Sequence, residues 1–425
     1  MSAGAAPSAA AVVPPTDRVR RPTSVTRRTL WLGRALLVVL PILALLVGLE
    51  VTLRLFGPIL PGTYTSGPYL ERHPTYGFFH VPGYVGWQRS SEYFAWVTFN
   101  GLGLRDPRQS VAKPPGTFRV LLLGDSFMEA VQVDERHTTA ALLEERLRRL
   151  RPDLNVEVIN AGVAGWSTSI ESLYLDADGR RFQPDLVVLA FFVGNDLHDN
   201  HYKLQLKDGD LNHAVKPFFV PNADGGLDMI PPPPARSGPS PVVSALRACC
   251  RLYSVFETGV LNRLGDGRAN VPLFAAAPMA PDIAGLYETA PSGEWQVGWT
   301  ITERLLARVR DLSGSMGAPF AAFAIPDSIQ IDDRTWRRDR DIQRDRRFRD
   351  GQLNISAPNR HLAAIAERQG FPFLDLLPQL RAVADDDWKR FYFETDQHWN
   401  LAGHALAAGE LERFVVERGL FPAHP

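Results

Sequence analysis

The segment Val120-Leu-Leu-Leu-Gly-Asp-Ser-Phe127 constrains the fold more than any other. Four apolar residues run without a break into Gly124, Asp125 and Ser126. A short unbroken apolar run that ends in a turn residue is the pattern of a strand buried on both faces of a parallel sheet. In open α/β sheets, ligands bind just past the carboxyl ends of such strands. Ser126 is therefore expected at the mouth of the sheet, where a hydroxyl can meet substrate.

The pattern repeats downstream. Strand Phe118–Leu123 leads to a helix near Arg136–Leu150, with leucines 142, 143, 147 and 150 at helical spacing. Strand Val156–Asn160 ends in Ala-Gly-Val-Ala-Gly165, and helix Thr168–Arg180 follows. Strand Asp185–Phe192 ends in Val-Gly-Asn195-Asp196. Helix Thr300–Leu312, strand Phe320–Ile325, helix Asn359–Gln369 and strand Phe371–Leu376 continue the alternation. A final helix has Asn400 as its N-cap and Gly419 then Pro422 as its stop. Strands alternating with helices predict an α/β chain with a parallel sheet and right-handed crossovers.

Two regions break the rhythm. Residues 51–117 are dense in Gly, Pro and aromatics and predict a small β-rich lead-in. Arg105 within it is expected in a structural salt bridge. Residues 200–295 carry Pro231–Pro234 and a Gly/Ser/Pro stretch, with helical pieces such as Val242–Val260, and read as an insertion over the site. The run Asp332–Asp350 places eight arginines among aspartates. Its mixed sign predicts a solvated helix with local ion pairs, not a glycan-binding basic face.

The N-terminus speaks to location. Residues 1–29 are Ala/Pro/Ser-rich, with Arg18, Arg20, Arg21, Arg27 and Arg28, and read as a disordered cytoplasmic tail. Residues 30–49 are apolar but for Arg34, the length a helix needs to cross a bilayer. Arginines before the span predict a cytoplasmic N-terminus and an extracytoplasmic remainder, residues 118–425 forming the catalytic domain. A cleaved signal peptide and a buried helix are the competing readings, but Glu50-Val-Thr-Leu-Arg54 is no cleavage site. Lys+Arg 46 against Asp+Glu 47 leaves no charge argument for nucleic acid. Cys249 and Cys250 are adjacent, so no disulfide framework is expected.

Four polar groups then stand out: Gly124-Asp-Ser126, Asn160 to Gly165, Gly194-Asn-Asp196, and Asp396-Gln-His398 ahead of the last helix. Together they supply what acyl transfer needs: Ser126 as nucleophile, His398 as base and Asp396 to orient the imidazole. The Ser126 and Gly165 amides with the Asn195 side chain would form an oxyanion hole. Glu394 is the other carboxylate near His398. Asp125 reads as shaping the turn, and His404 as packing. His198 and His201 lack a third ligand at useful spacing, so no metal is assigned. No glycine-rich phosphate loop is present, and no cofactor is expected.

These blocks resemble those of the SGNH/GDSL hydrolases. The resemblance implies a flavodoxin-like parallel sheet and the hydrolysis or transfer of acyl esters. It makes Ser126 the nucleophile, Gly165 and Asn195 oxyanion donors, and His398 the base. One departure is local: the family commonly has Asp three residues before His, whereas position 395 is Thr and the acid is Asp396. Asp-x-His-Trp resembles bacterial alginate O-acetylation proteins and related envelope enzymes. The expectation is a membrane-anchored serine esterase acting on acyl, in first place acetyl, esters of envelope glycans. An O-acyltransferase onto a polysaccharide hydroxyl is the alternative, and a non-catalytic glycan-binding protein on the same fold is the second.

Overall fold

The computed structural model describes residues 27–56, 64–65, 69–207, 216–232, 242–243, 246, 250, 252–253, 283–385 and 387–423. The chain divides into two compact units, Met1–Thr52 and Leu53–Pro425. Helix α1, Arg27–Phe56, carries an uncharged apolar stretch at Ala35–Leu49 between Arg34 and Glu50. Its stretch Gly33–Leu53 is long and apolar enough to cross a membrane, a property that membrane anchors and signal sequences share.

Among its described residues the lead-in has five short strands: β1 (Tyr64–Thr65), β2 (Leu70–His73), β3 (Gly77–His80), β4 (Val85–Arg89) and β5 (Phe94–Thr98). They pair antiparallel as β2–β3 and as β1–β4–β5. In β5 exposed and buried residues alternate strictly, the period of a strand with one wet face. Tyr76, Phe78 and Phe79, at and after the β2–β3 turn, join the main core against Trp166 and Tyr174.

The second half of the sequence pattern folds as expected. Strands β6 (Thr117–Gly124), β7 (Asn155–Gly162), β8 (Leu186–Phe192), β11 (Phe320–Ile325) and β12 (Phe373–Asp375) form one all-parallel sheet. Its spatial order is β7-β6-β8-β11-β12. Counted along the sheet strands alone this is 2-1-3-4-5, the flavodoxin-like order. Between the sheet strands run α2 (Ser126–Glu129), α3 (Thr139–Leu150), α4 (Thr168–Ala177), α5 (Asp196–Asn200), α6 (Gly293–Ser315) and α7 (Ala357–Gln369), and α8 (Leu401–Glu417) closes the chain. A two-stranded ribbon, β9 (Phe218–Pro221) with β10 (Leu227–Ile230), lies in the 200–295 region. Most of Val242–Val260 falls outside the described residues.

Alternate residues of each sheet strand face opposite cores, which makes the domain three-layered. Leu121, Leu123, Val187 and Leu189 pack with α4, α6 and α7. Val120, Leu122, Val188 and Phe323 pack with α3, α8 and the helix Leu377–Ala384. The central runs of these strands, such as Val120–Leu123 and Leu186–Phe191, are thus apolar on both faces.

Several expected boundaries move for local reasons. Helix α3 starts at Thr139 because the Thr138 hydroxyl caps the Ala141 amide. Helix α4 stops at Ala177, and a 3₁₀ turn, Gly179–Phe182, takes over. The arginine-rich run is not one solvated helix but three short ones, Asp333–Arg338, Arg340–Arg344 and Arg346–Arg349. Asp332 and Asp345 cap two of them, and Trp336 and Ile342 are buried. Arg105 makes no carboxylate salt bridge among the described residues; its buried guanidinium donates to the Glu129 carbonyl at 2.8 Å and to those of Ala130 and Val133. It therefore clamps the backbone that follows α2.

Candidate active site

The site lies where the strand order reverses. Strand β6 is flanked by β7 on one side and β8 on the other, so their carboxyl ends meet at the topological switch point, the place where open α/β sheets bind ligands in a crevice. Ser126 follows β6, Gly165 follows β7 and Asn195 follows β8.

Asp125 shapes the first corner. Its Oδ1 accepts the Phe127 amide at 2.9 Å and caps the single turn α2. Ser126 is the first residue of that turn, so its own amide has no intrahelical acceptor and is available to a ligand. The turn sits hard against β7. A Cβ added at Gly162 would stand 2.3 Å from the Glu129 amide nitrogen, so only glycine allows the approach. Asn160 Nδ2 donates to the Met128 carbonyl at 2.8 Å, and Glu129 Oε1 accepts the Ala164 amide at 3.2 Å. These bonds lock the Ser126 turn to the loop that carries Gly165. Gly165 itself has φ +77°, a left-handed conformation that favours glycine, with Phe78 packed against it.

His398 arrives from the loop before α8. The Tyr392–Trp399 bridge and the bond from the Phe393 amide to the His398 carbonyl, 2.9 Å, close that loop. The Gln397 amide donates to the Phe393 carbonyl at 3.0 Å, and Gln397 has φ +62°. A left-handed non-glycine residue costs on the order of 1–3 kcal/mol. Here it turns the chain between Asp396 and His398, so that one intervening residue suffices to bring the two side chains together.

The result is a continuous line. His398 Nε2 lies 2.7 Å from Ser126 Oγ, and His398 Nδ1 lies 2.7 Å from Asp396 Oδ1. An ionised carboxylate only accepts, so Nδ1 carries the proton and Nε2 is left to accept from the Ser126 hydroxyl. Burial alone would lower the His398 pKa, but the Asp396 hydrogen bond and charge, with Asp125 behind them, raise it above the ordinary imidazole value. Burial pushes Asp396 up, yet the bonds from His398, Tyr93 and Gln132 outweigh it and hold the carboxyl below its usual range.

Gly165 and Asn195 stand apart from this line, on the strand ends either side. Asn195 precedes α5, and its Oδ1 is buried without a partner. Glu394 points elsewhere: it is exposed and pairs with Lys389. His404 is buried against Thr139, 3.0 Å away, and burial holds its pKa down at about 3. His198 pairs with Asp199, and His201 with Glu294.

Three side chains at this site had no sequence signal. Tyr93 Oη donates to Asp396 Oδ2 at 2.8 Å, and Gln132 Nε2 donates to Asp396 Oδ1 at 3.1 Å. Glu92 accepts the amides of Glu394, Thr395 and Asp396. Beneath the crevice lie further buried carboxyls. Burial pushes Asp125 up to about 7 against the pull of the Phe127 amide and the His398 charge. Burial and then the Asp125 charge drive Glu171 well above the carboxylate range, and Asp196 is raised the same way, chiefly by burial. Neither Glu171 oxygen has a hydrogen-bond partner.

Residues 122–406 match the GDSL-like lipase/acylhydrolase family, which is more than half of the chain. The chain belongs to that family, the SGNH/GDSL hydrolases, and is an ester hydrolase by class. Similar solved structures include the acetylxylan esterase Axe2 from Geobacillus stearothermophilus, at 12% identity and TM-score 0.37, covering 70% of this chain and 94% of that one. The α/β hydrolase LAE5 from the metagenome of Lake Arreo, Spain, has 12% identity and TM-score 0.36, covering 72% and 97%. TesA has 15% identity and TM-score 0.35, covering 71% and 99%. No curated protein matches the chain.

Proposed function

We propose that this chain is a membrane-anchored serine esterase acting on acyl, chiefly acetyl, esters of envelope glycans. The single observation that carries the catalytic part is the line Ser126–His398–Asp396, two contacts of 2.7 Å each. In this reading His398 Nε2 takes the Ser126 proton while Oγ attacks the acyl carbon. Oxyanion charge is met by the Ser126 and Gly165 amides and the Asn195 side-chain amide. The tetrahedral adduct collapses, the ester C–O bond breaks, and His398 gives its proton to the departing sugar oxygen. Water then attacks the acyl-enzyme, losing its proton to His398, and the second collapse returns that proton to Ser126. Asp396 keeps its charge throughout and stabilises the transient imidazolium.

The anchor supports the location. Between Leu36 and Val51 the apolar side chains of α1 are exposed, a surface that water disfavours and hydrocarbon accepts. Arginines on its N-terminal side orient the remainder outward. The substrate class is read from that location and from the Asp-x-His-Trp arrangement at Asp396–Trp399, which resembles that of envelope O-acetylation proteins.

The test uses the full-length chain in detergent. A fluorophosphonate probe should label the wild type, and Ser126→Ala should lose both labelling and turnover of an aryl acetate. Wild-type turnover in the variant refutes the nucleophile. Faster wild-type turnover of octanoyl than of acetyl aryl esters refutes the small-acyl substrate.

A further inference from the structure

Asp396 is held from a part of the chain that precedes the matched family segment. Hairpin β4–β5 brings its turn, Ser90 to Tyr93, onto the acid–base loop. Ser90 Oγ accepts the Glu92 amide at 3.0 Å and the Tyr93 amide at 3.3 Å, and the Ser90 amide donates to the Tyr93 carbonyl at 2.9 Å. The turn is thus fixed before it meets anything else. Glu92 then accepts the Glu394 amide at 2.6 Å, the Thr395 amide at 3.0 Å and the Asp396 amide at 3.1 Å. Three convergent amides on one carboxylate make a charge-assisted clamp on the backbone of that loop. The Tyr93 ring lies tilted on Phe393, with centroids 4.9 Å apart, and its hydroxyl reaches Asp396 Oδ2.

We propose that Glu92 and Tyr93 are positioning residues for the catalytic acid, so that the β-rich lead-in is part of the catalytic apparatus. This rests on the Ser126–His398–Asp396 assignment above. Glu92 sets the place of the loop; Tyr93 sets the rotamer of the carboxylate and shares its negative charge. A hydroxyl bonded to the far oxygen draws charge from the oxygen that faces the imidazole. Without it, Asp396 holds the imidazolium more tightly, and His398 stays protonated to higher pH.

The experiment compares the full-length wild type with Tyr93→Phe, Glu92→Gln, Asp396→Ala and the two double variants, on an aryl acetate in detergent. Both substitutions preserve shape, and melting temperatures check the fold. Tyr93→Phe should lower kcat about tenfold with KM unchanged, the scale of one hydrogen bond to a charged group. It should also move the acidic limb of kcat/KM to higher pH. Glu92→Gln turns an acceptor into a donor facing three amides and should lower kcat with KM unchanged. In the Asp396→Ala background neither change should cost anything more, because no carboxylate remains to be placed. Losses that persist in full in that background overturn the proposal. So does a Tyr93→Phe enzyme with wild-type kcat and an acidic limb that has not risen. If Ser126→Ala keeps wild-type turnover, the triad and this proposal fall together; if it is inactive, the double variants judge the proposal alone.

Discussion

Replacing Asp396 by asparagine separates two jobs of the acid, orientation and charge. In a serine triad the usual danger of this change is that the amide NH₂ turns toward the imidazole and forces the wrong tautomer, at a cost of about 10⁴-fold in kcat. Here the surroundings choose the other orientation. His398 Nδ1–H and Gln132 Nε2–H both point at Oδ1, so an oxygen is required at that position. Oδ2 faces only the Tyr93 hydroxyl, which can rotate to accept from an NH₂. Asp396→Asn should therefore keep the productive tautomer and lose only the charge.

A hydrogen bond to a charged group is worth about 1.5–3 kcal/mol, so the expected fall in kcat is about 10- to 150-fold. Asp396→Ala removes the acceptor altogether and leaves His398, Tyr93 and Gln132 facing a void, so its loss should be clearly larger. Glu394→Gln should change nothing, since Glu394 is exposed on Lys389. The assay is steady-state hydrolysis of an aryl acetate by the full-length chain across pH. Equal losses near 10⁴-fold for the asparagine and alanine variants would refute the orientation argument. A larger loss for Glu394→Gln than for Asp396→Asn would give the acid role to Glu394.

Three other outcomes are expected. Turnover needs neutral His398, whose pKa is raised, so kcat/KM should fall as pH drops through a value above the ordinary imidazole 6.5; an acidic limb below 6.5 contradicts this. Glu171 is raised by burial and by Asp125, so the folded chain binds its proton more tightly than the unfolded chain: that stability is present below the unfolded carboxylate pKa and is lost as pH rises through the folded value. Glu171→Gln should accordingly raise the melting temperature at pH 8 and leave it unchanged at pH 4, and equal shifts at both would sink the idea. Protease added to intact spheroplasts should digest the chain beyond Leu53, whereas full protection in sealed spheroplasts would reverse the proposed orientation.

Much of the fold was legible because the sheet strands are buried on both faces. Leu121 to Leu123 and Leu186 to Phe191 read as unbroken apolar runs since neither side meets water. The first three site blocks were legible for a related reason: a parallel strand must turn at its carboxyl end, and Gly124, Gly165 and Gly194 mark those turns. The sheet order also puts the ends of β6, β7 and β8 side by side, so short local blocks converge.

What the sequence by itself determined was therefore local: which residues turn, cap and alternate, and that Ser126, Asp396 and His398 stand at such turns. Tertiary structure alone decided who holds them. Tyr93 and Asp396 are 303 residues apart, and Gln132 and Asp396 264, separations at which no periodicity or capping rule operates. Arg105 found three backbone carbonyls instead of a carboxylate, because a buried guanidinium takes whatever acceptors the packing presents. Which of the two carboxylates, Asp396 or Glu394, faces His398 was likewise set by packing. It turned on the left-handed Gln397 and on three amides gathered by Glu92, and both depend on the packed hairpin that faces the loop.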